Sequence, residues 1–247
     1  MSIESADDWK GLRRAGRIAH LTLDAMEARL RPGVTTGDLD AVAARIFTAH
    51  GAHSAPALVY GFPGTVLISV NDEVVHGIPG TRRITAGDLV KLDVTVEKNG
   101  YVADAARTVI VESGSDEAVR LAACARDAFA AALSVARAGT KVNEIGRAVE
   151  STVRSRGFRV VRGLGGHGVG RTIHEAPSVP NQYDPWQRDV LTDGLVLTIE
   201  PIISAGSDRI RQDRDGWTTR TSDGSLSAHY EHTLVITRDR PVVLTRG

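Results

Sequence analysis

Lys91-Leu-Asp-Val-Thr-Val-Glu-Lys-Asn-Gly-Tyr-Val-Ala-Asp104 is the stretch on which the fold turns. Asn99-Gly100 stands between two runs of alternating apolar and polar residues, the pattern of a two-residue hairpin turn. That turn sets Thr95 opposite Asp104, Val96 opposite Ala103 and Val94 opposite Ala105. Val94, Val96, Ala103 and Ala105 then share an apolar face, while Asp93, Thr95 and Asp104 share the other. Asp93 lies diagonally across from Asp104, with Cβ atoms roughly 7–8 Å apart. Two carboxylates so placed can hold one or two cations between them. A charged strand surface facing water has the same pattern, and the hairpin alone does not separate the two readings. A turn longer by one residue would move Asp93 to the opposite face.

Outward from the hairpin, further strands are expected at Leu67–Val70, Leu89–Glu97, Tyr101–Val111, Arg159–Val161, Leu195–Ile199 and Thr233–Thr237, which are rich in β-branched and apolar residues. Helical spacing appears at Arg17–Arg31, ending before Pro32-Gly33, and in a second helix with Thr36 as cap that stops at Gly51. Ala122–Arg137 and Val142–Arg156 repeat the plan, with stops at Gly139 and Gly157. Gly33 and Gly139, and Gly51 and Gly157, are separated by one common offset, which also carries Leu39 onto Ile145. A duplicated architecture has that signature, although any two helical hairpins look alike at this level. Helix pairs segregated from strands favour an α+β fold with a largely antiparallel sheet. The expected organisation is one domain, residues 1–247, with pseudo-symmetric halves at about 10–112 and 113–247.

The 247 residues carry 30 basic and 30 acidic side chains, so no broad positive field exists to attract nucleic acid or an anionic membrane. An apolar share of 42% excludes a disordered chain. Cys124 stands alone and forms no internal disulfide. Met1–Lys10 is polar, and no later run reaches the ~18 apolar residues of a membrane span. A cytoplasmic protein is the default expectation.

Single residues add chemistry. His167 lies in Gly163-Leu-Gly-Gly-His-Gly-Val-Gly170, which matches a dinucleotide fingerprint in its glycines but is followed by Pro177 and Pro180 rather than a helical pattern. Glycines around one histidine also keep the backbone clear for an imidazole in a crowded site. His76 and His174 read as loop histidines. Glu200 ends the apolar run Leu195–Ile199, where a charge is costly unless paired or bound to metal. Glu231 stands at the entrance of the last expected strand, with His229 and Thr233 projecting to its side. Asp93, Asp104, His167, Glu200 and Glu231 together make an oxygen-rich donor set suited to a pair of Mn, Fe(II), Co or Zn ions.

In order and spacing, Asn71-Asp-Glu-Val-Val-His-Gly-Ile-Pro79, Asp93 with Asp104, Gly166-His-Gly-Val-Gly-Arg-x-x-His-Glu-x-Pro177, Thr198-Ile-Glu-Pro201 and Ser225-Leu-Ser-Ala-His-Tyr-Glu-His-Thr233 closely resemble the type I methionine aminopeptidases. The resemblance runs from about residue 10 to the C-terminus. It implies the pita-bread fold, an antiparallel sheet flanked by two helix pairs with pseudo-twofold symmetry. It also implies two divalent ions held by Asp93, Asp104, His167, Glu200 and Glu231, with Asp104 and Glu231 bridging. The implied reaction removes the initiator methionine from peptides and nascent chains whose second residue is small. Glu200 is then a proton shuttle, His174 stabilises the oxyanion, and His76 contacts the peptide nitrogen. Tyr60, Phe62, Leu67 and Trp217 would form the cup for the methionine side chain. Leu67 departs from the cysteine common in bacterial members, and a further histidine in the Tyr60-Gly61 stretch is absent. Implied partners are the peptide N-terminus and, transiently, the ribosome, with a monomeric enzyme. The alternatives are a prolidase or aminopeptidase P relative, and a non-catalytic peptide-binding relative, which typically loses metal ligands.

Overall fold

A computed structural model describes residues 1–247. The first half runs α1 (Ala6–Arg29), α2 (Thr36–His50), β1 (His53–Ser54), α3 (Ala55–Tyr60), β2 (Leu67–Val70), β3 (Glu73–Val75), β4 (Leu89–Lys98) and β5 (Tyr101–Ile110). The second runs α4 (Asp116–Val135), α5 (Val142–Ser155), β6 (Arg159–Val160), β7 (Gly165–Gly168), β8 (Glu175–Pro180), β9 (Val196–Ile199) and β10 (Ile202–Ser204). It closes with β11 (Ile210–Gln212), β12 (Thr219–Thr221), β13 (Ser227–His229), β14 (Glu231–Val235) and β15 (Val242–Val243). The ends of α1 and α4 (29 and 135), the starts of α2 and α5 (36 and 142) and those of β1 and β6 (53 and 159) share the offset read from the glycines.

Asn99 and Gly100 take φ 53 and 78, the left-handed pair a tight hairpin turn requires. The register is the expected one: Thr95 pairs with Asp104, Val96 with Ala103 and Val94 with Ala105. The large sheet has order β1-β4-β5-β14-β9-β7-β8, with β2 on β4 and β15 on β14, and all its ladders are antiparallel.

Both helix pairs bury their apolar stripes on one face of this sheet. Leu23, Met26, Leu39 and Phe47 pack on Leu92, Val94, Val96 and Ala105. Ala125, Phe129, Ile145 and Val149 pack on Leu197, Ile199 and Leu234. Each fully buried side chain of this size contributes about 1.5–3 kcal/mol of transfer free energy. The opposite face is left for the acids.

Three local expectations are corrected. Helix α1 begins at Ala6, eleven residues before Arg17, capped by the Ser5 side chain accepting from the Asp8 N–H. Thr35, not Thr36, caps α2, because Asp38 lies three residues on and completes a capping box with the Thr35 backbone. The strand expected at Thr233–Thr237 is β14, Glu231–Val235, so Glu231 does stand at its entrance but the strand begins and ends two residues earlier, while His229 ends β13 in a different sheet.

Candidate metal centre and its cavity

Asp93 on β4 and Glu231 on β14 both pair with Ala106 of β5, so the three residues form one row across three strands. Paired residues point to the same face, and the methyl of Ala106 leaves the space above it open for the two carboxylates. Asp104, two residues before Ala106, shares that face. Its Oδ1 accepts from Thr95 Oγ1 at 2.9 Å, and its backbone N–H donates to Thr233 Oγ1 at 2.8 Å. Glu200 follows β9, its Oε1 accepting from Thr198 Oγ1 at 3.1 Å. His167 projects from β7, with Nδ1 2.9 Å from the Gly168 carbonyl and Nε2 3.5 Å from Glu200 Oε1.

The glycines about His167 answer a packing need. A Cβ at Gly166 would press on the Thr198 carbonyl, and one at Gly168 on the Ala176 carbonyl, so β7 passes closely between its neighbours. The glycine run leads into strand β8 and not into a helix, which removes the dinucleotide reading.

Burial raises all four acids, and repulsion from neighbouring carboxylates adds to it at Asp93, Glu200 and Glu231. Asp104 is pushed up to about 6 by burial, against the Thr95 hydrogen bond. Asp93 rises through burial and the charge of Asp104, and Glu200 through burial and the charges of Asp104 and Asp93. Glu231 rises through burial and the charges of Asp104, Glu200 and Asp93. For an imidazole the same burial works the other way: with His76 and Lys91 nearby, it pulls His229 down to about 3. No lysine or arginine bridges any of the four acids.

The donor set fits divalent cations. Donor atoms of Asp93, His229 and Glu231 lie within 4.8 Å of one another, and so do those of Asp104, His167 and Glu231. Glu231 belongs to both groups. Its Oε1 and both ring nitrogens of His229 are buried without a hydrogen-bond partner. Such orphaned atoms are costly unless a cation or water completes them, and neutral imidazole with carboxylates is a site for Mn, Fe, Co or Zn.

These groups floor a cavity of ≈ 350 Å³ whose walls hold every residue singled out from the sequence: Tyr60, Phe62, Leu67, His76, Asp93, Asp104, His167, His174, Glu200, Trp217 and Glu231. Phe62 and Trp217 meet edge to face with centroids 5.2 Å apart, and Leu67 sits opposite Asp93 in the β2–β4 ladder. Thus an apolar cup adjoins the acids. His76 takes φ 62, and the next residue, Gly77, lies where a Cβ would press on the Ile68 carbonyl. The tight turn holds the imidazole at the cavity wall.

Sequence reasoning passed over three contributors. His229 was placed only as a neighbour of Glu231, though the alternation in His229-Tyr-Glu231 carries the signal. Thr95 orients Asp104, which its place opposite in the hairpin makes readable. Ala106 has no sequence signal beyond its small size.

The fold and the acid-floored cavity define a metal-dependent hydrolase of the pita-bread class. The chain matches Metallopeptidase family M24 over residues 10–238 and belongs to that family. It is 43% identical over 248 residues to methionine aminopeptidase 2 of Bacillus subtilis, covering 100% of both chains. It is 42% identical over 234 residues to a methionine aminopeptidase of Clostridium perfringens, covering 95% and 94%. Its structure resembles that of a methionine aminopeptidase from Thermotoga maritima with TM-score 0.97 and 34% identity, covering 100% of each chain. A prolidase from Pyrococcus furiosus shares the fold at TM-score 0.81 and 22% identity, and this chain spans 65% of it.

Proposed function

We propose that the chain is an aminopeptidase that removes an N-terminal methionine when the second residue is small, using two divalent ions. One observation carries the reading: an apolar cup of Tyr60, Phe62, Leu67 and Trp217 adjoins a floor of four acids, three of them buried, and two imidazoles. Full-length likeness to methionine aminopeptidases supports it over the prolidase alternative, which shares the fold alone. The non-catalytic alternative is disfavoured by the complete donor set.

Asp93, Asp104, His167, Glu200 and Glu231 are the residues that would hold the ions, with Glu231 shared and His229 closing the group around Asp93. When bound, two such ions ionise water near neutral pH and polarise a carbonyl. The rest falls to the chain. Tyr60, Phe62, Leu67 and Trp217 take the methionine side chain. Glu200 accepts a proton from the attacking water and returns it to the departing amine. An N–H of His174 donates to the oxyanion of the tetrahedral intermediate. His76 contacts the peptide nitrogen and assists its departure. No helix is long and apolar enough to cross a membrane. The reading extends to a monomeric cytoplasmic enzyme that meets nascent chains in transient contact with the ribosome.

The test is hydrolysis of Met-Ala-Ser with added divalent metal by wild type and Asp104→Asn, beside an Xaa-Pro dipeptide. Cleavage of the first peptide alone, lost in the variant and on chelation, is the expected result. Cleavage of Xaa-Pro instead overturns the assignment.

A further inference from the structure

One polar contact at the cavity mouth is required neither by the metal site nor by an apolar cup. Tyr60 is the last residue of α3, a short helix capped by Ser54 and ended by Gly61 in the left-handed conformation, φ 70. The residue is 48% exposed and also lines the cavity. Its hydroxyl lies 2.5 Å from Nδ1 of His174, with ring centroids 5.7 Å apart and planes tilted by 41°. The His174 ring also meets the His167 ring in an edge-to-face pair, centroids 4.3 Å apart.

The backbone under His174 is tied as well. Thr172 Oγ1 donates to the His174 carbonyl at 3.1 Å, and Glu175 Oε1 accepts the N–H groups of Arg171 and Thr172 at 2.7 and 2.8 Å. With the loop fixed and the ring packed against His167, the remaining freedom is which nitrogen carries the proton. Tyr60 is the only polar group bonded to either ring nitrogen.

A neutral imidazole has one donor and one acceptor nitrogen, and the partner of one decides the role of the other. If Tyr60 accepted from Nδ1–H, the bare Nε2 would turn a lone pair toward a cavity walled by Asp93, Asp104, Glu200 and Glu231. With Tyr60 donating, Nε2–H faces those acids instead, and the stronger acid, the phenol, is the donor.

We propose that Tyr60 is a positioning residue for His174: its hydroxyl donates to Nδ1, which fixes the ring with Nε2–H aimed into the cavity as the oxyanion donor. The inference rests on the aminopeptidase reading for its kinetic consequence, but not for the tautomer. It gives Tyr60 a task beyond covering the substrate side chain.

Long-range proton–nitrogen NMR on zinc-loaded full chain labelled with 15N-histidine reads the tautomer directly. The His174 signals are assigned by their loss in His174→Ala. Wild type is expected to show a bare Nδ1 and a protonated Nε2, and Tyr60→Phe to draw the two nitrogen shifts together. With Met-Ala-Ser, Tyr60→Phe is expected to lower kcat about tenfold with KM held within about twofold. In a His174→Ala background the same change should lower kcat no further. Unchanged His174 nitrogen shifts in Tyr60→Phe, or an equal loss in the His174→Ala background, would overturn the proposal. If wild type leaves Met-Ala-Ser intact while the shifts behave as expected, the positioning stands and the substrate reading falls.

Discussion

Replacing Asp104 with Asn should strengthen the metal-free fold while removing its response to cations. Asp104 is 6% exposed, and burial moves its carboxyl from the ordinary 3.8 up to about 6. Below pH 3.8 the group is protonated in both folded and unfolded chains and costs nothing. Above about 6 it is ionised in both and the full penalty applies, about 3 kcal/mol. Stability of the metal-free wild type therefore falls as pH rises through that window. Asn keeps an oxygen for Thr95 Oγ1 and leaves the backbone bond to Thr233 intact, so the substitution relieves the charge at little structural cost. Urea unfolding of metal-free protein at pH 7 should place Asp104→Asn about 2–3 kcal/mol above wild type, with the gap closing near pH 4. Manganese at about 100 times Kd should stabilise wild type by about 2.7 kcal/mol and the variant far less. A metal-free variant weaker than wild type at pH 7, or equal stabilisation of both by manganese, would refute the reasoning.

If His174 is the proposed oxyanion donor, acting on charge that develops in the transition state, His174→Ala should lower kcat on Met-Ala-Ser by about 10²–10³-fold with KM little changed; steady-state kinetics checks it. Lys91, 1% exposed, is lowered from 10.5 to about 7 by burial, so its penalty is complete below pH 7 and gone above 10.5. Metal-free wild type should accordingly gain stability between pH 7 and 10 more steeply than Lys91→Met, as measured by urea midpoints. Gly166→Ala should cost about 1–3 kcal/mol, because the added methyl meets the Thr198 backbone rather than a movable side chain. A thermal melt unchanged from wild type would contradict that reading of the glycine run.

The β4–β5 hairpin was legible to the residue because Asn99-Gly100 fixes its register locally, and the faces of Asp93, Thr95 and Asp104 follow from period two. The start of α1 was not. Gly11 and Gly16 look like helix breakers, yet each marks a close approach, Gly11 to the Tyr101 ring and Gly16 to the Leu244 carbonyl. Those partners lie far away in the chain, and a single stretch of sequence does not name them. Thr35-x-x-Asp38 was readable as a capping box, and two adjacent threonines obscured it. His229 stands beside Glu231, as alternation implies, although the chain leaves one sheet and enters another at Tyr230. The identity of the acids was legible from types and order. Their convergence was not, since it depends on Ala106 pairing with Asp93 on one side and Glu231 on the other.

In the large sheet β14 lies between β5 and β9, although it begins at residue 231 of 247. Until that strand is made, the early and late ladders have no common member, and both donor groups lack the carboxylate they share. A growing copy of this polypeptide is thus chemically silent until β14 has been made. Hydrolytic competence arrives in a single event, when that strand threads home between two ladders that were waiting for it.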